Sequence, residues 1–214
     1  DTLTGSYGND TYIFNKGDGA DTITDYGGNN ILKLGAGLDK KDLIVSHNSN
    51  GYILLSFKDN ASDSITLTSP NIQVVEFANG DKMGIDEIKK LSLIGDDTDN
   101  TIYGYNGENN ILVGNKGNDT LTGSYGNDTY IFNKGDGNDI IADTGGINTL
   151  QFGEGISRSD LEFNAINFGS DLKISFKSTP HDSVIINRIS IKNIKFANGE
   201  ILKLSDIDNI KIMG

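Results

Sequence analysis

Through residues 98–152 apolar side chains recur at a period that no amphipathic helix has. They fall at Ile102, Ile111, Leu121, Tyr130, Ile141 and Leu150, with spacings of 9, 10, 9, 11 and 9. Two positions before each stands Asn100, Asn109, Asp119, Asp128, Asp139 or Asn148. A glycine lies two positions earlier again, except before Asn100, where Thr98 takes its place. A helix presents an apolar residue every three or four positions, so one in nine cannot hold it against a core. A glycine turn followed by a very short strand with one buried side chain does fit. Stacked turns would then bury isolated side chains as one continuous row.

The same register appears earlier, at Asp1, Asp10, Asp21 and Asn30 with partners Leu3, Tyr12, Ile23 and Leu32. The string DTLTGSYGNDTYIFNKGDG occupies both 1–19 and 119–137 without substitution. Looser matches continue downstream, from GGNNILKLGAGLDKKDL and GGINTLQFGEGISRSDL to EFANGD and KFANGE. The second copy carries one extra residue between Asp160 and Phe176. The chain is therefore a tandem pair of modules, each with two parts. Turn-rich segments cover 1–37 and 95–155. Segments 38–94 and 156–214 hold alternating β-branched and aromatic runs, at 52–57, 64–69 and 72–78 and again at 171–176, 183–189 and 191–196. These read as small antiparallel β lobes. Asn79-Gly80 and Asn198-Gly199 read as hairpin turns with positive φ at both central residues. Short helical turns are expected at 38–42 and 85–91, the second with Asp86 and Glu87 in its first turn.

Composition narrows the chemistry. Acidic residues number 30 against 18 basic ones, for a formal charge of −12. That argues against nucleic acid and anionic membranes, which need a basic footprint, and suits a cation. There is no cysteine, so neither a disulfide framework nor a thiol site is possible. A secreted protein without disulfides needs another staple, and a metal is one. No apolar run approaches the roughly 18 residues of a membrane span, and no signal peptide is visible. The chain opens in mid-repeat, which reads as a piece of something longer. Neither a G-x-S-x-G elbow nor an H-E-x-x-H motif is present, so the segment is expected not to be an enzyme.

The units GNKGNDTLT (114–122) and GSYGNDTYI (123–131) resemble the nonapeptide G-G-x-G-x-D-x-U-x of RTX exoproteins. NDTYIFNKGDGNDII (127–141) and the stretch after it resemble the haemolysin-type segment that follows such repeats. The resemblance covers nearly the whole chain. It implies an all-β fold in which parallel β-roll segments, right-handed β-solenoids, alternate with the antiparallel lobes. It also implies several calcium ions held between turns two apart, by carboxylates and by carbonyl oxygens that glycine turns expose.

Carried over by position, that site comprises Asp1, Asp10, Asp21, Asn30, Asn100, Asn109, Asp119, Asp128, Asp139 and Asn148, with turn glycines Gly8, Gly19, Gly126 and Gly137. The stacked pairs are Asp1 with Asp21, Asp10 with Asn30, Asn100 with Asp119, Asp119 with Asp139, Asn109 with Asp128, and Asp128 with Asn148. This amounts to about two ions in the first roll and about four in the second. Four of these ten residues are Asn, which keeps an oxygen but loses the charge. Asp1/Asp21 and Asp119/Asp139 alone bring two carboxylates together and are expected to bind most tightly. Asp18, Asp136, Asp25 and Asp143 recur beside the turns as extra ligands or caps. Asp96, Asp97 and Asp99 read equally as a charged cap or a ligand set. Tyr12 and Tyr130 read as core fillers with hydroxyls at the edge, and His47 and His181 as surface residues.

The resemblance further implies a protein secreted through a type I machinery, extracellular or at the bacterial surface, that folds when it meets calcium. Two other readings stand beside it. One is an adhesin or toxin segment that recognises a host-cell surface through its β lobes. The other is the repeat tail of an enzyme whose catalytic part lies elsewhere.

Overall fold

The computed structural model describes residues 1–58, 60–179 and 181–209; the end of the expected 156–214 segment lies outside them. The residues form two compact units, Asp1–Ser92 and Leu93–Gly214. In the first, β1 (Thr2–Thr4), β2 (Thr11–Phe14), β3 (Ala20–Thr24) and β4 (Asn30–Leu34) are the short strands between glycine turns. After them come β5 (Leu43–His47), β6 (Ile53–Phe57), β7 (Asn60–Leu67), β8 (Ile72–Glu76), β9 (Lys82–Gly84) and the helix α1 (Ile85–Leu91). The second unit repeats the plan. Its coil strands are β10 (Thr101–Tyr103), β11 (Ile111–Val113), β12 (Thr120–Thr122), β13 (Thr129–Phe132), β14 (Asn138–Ile141) and β15 (Asn148–Phe152). β16 (Leu161–Ile166), β17 (Asp171–Phe176), β18 (Ser183–Asn187), β19 (Ile191–Lys195) and β20 (Ile201–Lys203) follow.

Successive coil strands alternate between two sheets, so each strand pairs in parallel with the next but one. Leu3 lies beside Ile23 and Tyr12 beside Leu32. In the second unit Ile102 lies beside Leu121 and Leu121 beside Ile141. This is the parallel β-roll that the resemblance implies, because each turn reverses the chain onto the opposite sheet.

The antiparallel strands are not set apart as lobes. β7 and β8 pair in parallel with β3 and β4, and so extend the two roll sheets directly. β18 and β19 do the same for β14 and β15. Only beyond them does the pairing turn antiparallel, through β6 and β5 on one sheet and β9 on the other. Each unit accordingly has one core. In the second unit Tyr130, Leu150 and Phe152 of the roll share it with Ile174, Phe176 and Phe196 from beyond. Phe132 stacks on Phe176 at 5.5 Å between ring centroids, and Phe152 on Phe196 at 5.7 Å. A coil with one inward residue per turn has little to bury, and these larger side chains close its open end.

The two hairpins use another turn than expected. Gly80 N donates to Phe77 O and Phe77 N to Asp81 O, with φ of 89° at Gly80 and no positive φ at Asn79. Gly199 repeats the pattern with φ of 88°. This is a three-residue loop, a type I turn closed by a left-handed glycine, so Asn takes an ordinary conformation. The helical turns lie where expected, a 3-10 turn at Lys40–Asp42 and α1. Among the described residues no helix is long and apolar enough to cross a membrane.

Candidate metal centre

The Asp or Asn at or just before the start of each coil strand points its side chain along the edge of the roll, toward the previous coil. Asp119 Oδ1 accepts the Asn100 N–H at 2.7 Å, and Asp139 Oδ1 that of Asp119 at 3.1 Å. On the opposite edge Asp128 Oδ1 accepts the Asn110 N–H at 2.7 Å, and Asn148 Oδ1 that of Asp128 at 2.8 Å. In the first unit Asn30 Oδ1 takes the Asp10 N–H at 2.7 Å, and Asp21 Oδ1 lies 2.6 Å from the Asp1 nitrogen. One oxygen of each side chain thus stitches two coils together. This demands Asp or Asn and nothing longer.

The second atom of the head group separates the two residue types. Asn30 Nδ2 donates to the carbonyls of Gly27 and Asn71. Asn110 Nδ2 reaches the carbonyls of Tyr105, Glu108 and Gly123, and Asn148 Nδ2 that of Gly145. An amide therefore satisfies itself on the turn carbonyls. A carboxylate has no proton to give. Asp119 Oδ2 and Asp128 Oδ2 are buried with no hydrogen-bond partner, on residues each 1% exposed. Leaving a charged oxygen so costs several kcal/mol unless something positive meets it. Asp119 Oδ2 is aimed at Gly114, and a Cβ there would fall on it. Oxygens lacking donors, turn carbonyls and space kept by glycine are what a hard, oxygen-seeking cation fits. Among the described residues no three acidic or histidine side chains converge on one point, so carbonyl oxygens must complete each shell.

One expected residue is displaced. Ile111 faces out at 57% exposure and Leu112 is fully buried, so Asn110, not Asn109, stacks on Asp128. The turn from Gly104 holds one residue more than the turn from Gly123, and counting from Gly107 lands one short. Asn109 instead joins an outer ladder, its Oδ1 accepting the Asn127 N–H at 2.9 Å. Asn9 with Asn29, Asp99 with Asn118, and Asn118 with Asn138 make the same bond.

The glycines carry the stacking. A Cβ on Gly28 would land on the Gly8 carbonyl, one on Gly137 on the Gly117 carbonyl, and one on Gly126 on the Glu108 carbonyl. Gly19 meets nothing but holds a φ of 87°. Two further carboxylates, Asp63 and Asp182, end the coils. Asp63 accepts the N–H groups of Gly17 and Gly19, and Asp182 that of Gly135. They open the matching strings DSITL and DSVII, at the strands that extend the roll in each unit. Asp18 and Asp136 close their own turns by accepting the Asn15 and Asn133 N–H groups. Asp96 accepts bonds from Thr98 and Asn100, and Asp97 pairs with Lys116 at 2.5 Å on the surface. His181 is exposed as expected, but His47 is buried, bonded to Ser92 at 2.9 Å and pushed down to about 4 by burial. A neutral, packed imidazole is a core residue.

Crowded carboxylates resist ionising. Burial, then the nearby charges of Asp119, Asp136 and Asp182, push Asp139 up to about 7. Burial raises Asp119 and Asp136 too, and Asp128, which also feels Asp143. A raised carboxyl costs the calcium-free roll nothing at acid pH. The cost grows as pH rises from the ordinary carboxylate range to about 7, and then stays. Calcium takes only the ionised form, so its affinity on this edge should rise across pH 6 to 8 and level off above. Titrations with calcium at pH 6, 7 and 8 check this, and a pH-independent affinity would contradict it.

The match to a family model agrees with the geometry. Residues 1–18, 17–40 and 105–136 match the family model of the RTX calcium-binding nonapeptide repeat. A crystal structure of the extracellular lipase LipA from Serratia marcescens aligns with 87% of this chain at 18% identity and a TM-score of 0.28. The chain spans 36% of that lipase's length. A comparison with curated proteins found no match.

Proposed function

We propose that this chain, which carries the calcium-binding repeats of the RTX family, is a non-catalytic segment that folds when a type I-secreted protein reaches extracellular calcium. RTX nonapeptide repeats bind calcium. The observation that carries the folding role is the pair of buried, unpartnered oxygens on Asp119 and Asp128. Without a cation they oppose the roll, and with one they hold it. In the cytosol calcium is scarce and the acidic turns repel. Outside, near-millimolar calcium meets sites whose dissociation constants for extracellular modules run about 10⁻⁴–10⁻³ M. Folding there would keep the emerging chain from slipping back and favour export through the secretion channel.

Circular dichroism of the purified chain against calcium concentration tests this. The expected course is little β signal in excess chelator and a cooperative gain between about 0.1 and 1 mM. An unchanged spectrum in chelator would remove the switch.

A second reading has one observation behind it. Phe168, at the tip of the β16–β17 hairpin, is fully exposed with a φ of 57°. An aromatic ring held out in that conformation suits recognition of a host-cell surface. Loss of cell binding in Phe168→Ser, with calcium-dependent folding intact, would favour it.

A further inference from the structure

The two edges of the second roll differ in their supply of charge. On one, Asp119 and Asp139 are consecutive. On the other the stacked residues are Asn110, Asp128 and Asn148, with a single carboxylate. That edge has an aspartate elsewhere. Asp143 begins the turn that ends at Asn148, and Asp128 ends a turn that begins at Gly123. A Cβ built on Gly123 would collide with Asp128 Oδ2, Asp143 Oδ2 and Tyr130 Oη together. The two carboxylate oxygens therefore face one another across a space that only glycine leaves open.

The hydrogen bonds around this space are incomplete on one side. Asp143 Oδ1 accepts the Gly145 N–H at 2.8 Å, and Oδ2 accepts the Tyr130 hydroxyl. Asp128 Oδ1 is occupied by both donors of Asn110, while Oδ2 is buried without a partner. The first unit repeats the arrangement. Tyr12 donates to Asp25 Oδ2 at 2.5 Å, Asp25 Oδ1 accepts the Gly27 N–H at 2.8 Å, and a Cβ on Gly5 would meet Tyr12 Oη, Asp25 Oδ2 and Asp10 Oδ2.

We propose that Asp143 and Asp25 are calcium ligands, each completing with Asp128 or Asp10 a two-carboxylate site that the adjacent tyrosine hydroxyl orients. The proposal rests on calcium binding by the roll, and it removes the weakness expected of the Asn-rich edge. Asp143 supplies the negative charge that Asn110 and Asn148 lack, from the start of the turn rather than its end. Tyr130 then has a reason to replace the aliphatic residue of the other coils. Its ring fills the core, and its hydroxyl occupies one lone pair of Asp143 Oδ2, fixing the carboxylate and leaving the other lone pair for the ion. Tyr130 and Tyr12 are positioning residues.

The test counts calcium bound to the full chain by equilibrium dialysis and isothermal titration. It compares the parent with Asp143→Asn, Asp25→Asn and Tyr130→Phe, each checked for folding by thermal melting in calcium. Asparagine keeps the acceptor for Gly145 or Gly27 and removes the charge. Each Asp→Asn variant is expected to lose one ion from the count. Tyr130→Phe is expected to keep the count and weaken one ion by about tenfold, as loss of a partner behind a ligand does. A folded Asp143→Asn that keeps the full count and affinities would overturn the proposal. Asp25→Asn provides the same reading in the other unit should Asp143→Asn fail to fold. A parent chain that binds no calcium would instead defeat the underlying reading.

Discussion

Saturating calcium is expected to raise the melting temperature of both units, and of Leu93–Gly214 by about twice as much as of Asp1–Ser92. The inequality follows from the coils. The first unit has β1 to β4 in its roll and the second β10 to β15, so the second has more stacked steps to hold ions. A site at ten times its dissociation constant adds about RT ln 11, or roughly 1.4 kcal/mol. About two ions give the first unit some 3 kcal/mol and about four give the second some 6 kcal/mol, against a total stability of about 5–15 kcal/mol for a typical domain. At about 4–8 °C per kcal/mol for a domain of 60–100 residues, the shift is about 12–24 °C for the first unit and, because the second unit is larger, at most about 24–48 °C there. Differential scanning calorimetry with and without chelator would resolve two transitions and measure each shift. Equal shifts would mean that ion number does not follow coil number, and no shift would mean that the carboxylates are stabilised some other way. Magnesium at equal concentration is a control, because a smaller ion that demands near-ideal octahedral geometry should not replace calcium between turns.

Gly146→Ala should be the most damaging small substitution in the second roll, although it adds one carbon to an exposed turn. Gly146 has a φ of 94°, and its Cβ would fall on the Gly126 carbonyl oxygen of the coil below. Either the coils separate or the turn changes conformation, and both move the carbonyls and side chains that would hold an ion. Gly135 provides the comparison. Its φ is 92°, yet a Cβ there meets nothing within 4 Å. Gly135→Ala should therefore cost only the left-handed conformation, about 1–2 kcal/mol. Gly146→Ala should exceed it by at least about 2 kcal/mol, because close-packed backbone cannot yield as a side chain can. Chemical denaturation in calcium measures both. Equal losses would show that backbone conformation alone matters and that the carbonyl contact does not.

The roll could be read from the chain because its information is local. One apolar residue per turn and Gly-x-Asp or Gly-x-Asn before each strand leave few alternatives, and a duplicated string repeats the evidence. Asn110 shows the limit. Both Asn109 and Asn110 stand before apolar residues, and the turn tolerates one residue more or less. What chooses between them is the hydrogen bond that the Asn110 N–H donates to Asp128 and the pairing of Leu112 with Tyr130, which are set by the coil beyond. The antiparallel strands were legible as strands, but not as extensions of the roll. Alternation reports which side of a strand is buried and says nothing of the strand it joins. Tyr130 and Asp143 are thirteen residues apart, on different coils, and nothing in either neighbourhood pairs them. The period, the turns and the cation-seeking character thus lay in the sequence, since each depends on a few adjacent residues. Which asparagine stacks, which aspartates cap the coils and which carboxylate faces Asp128 were decided by the tertiary structure, because each depends on contacts between coils that only stacking brings together.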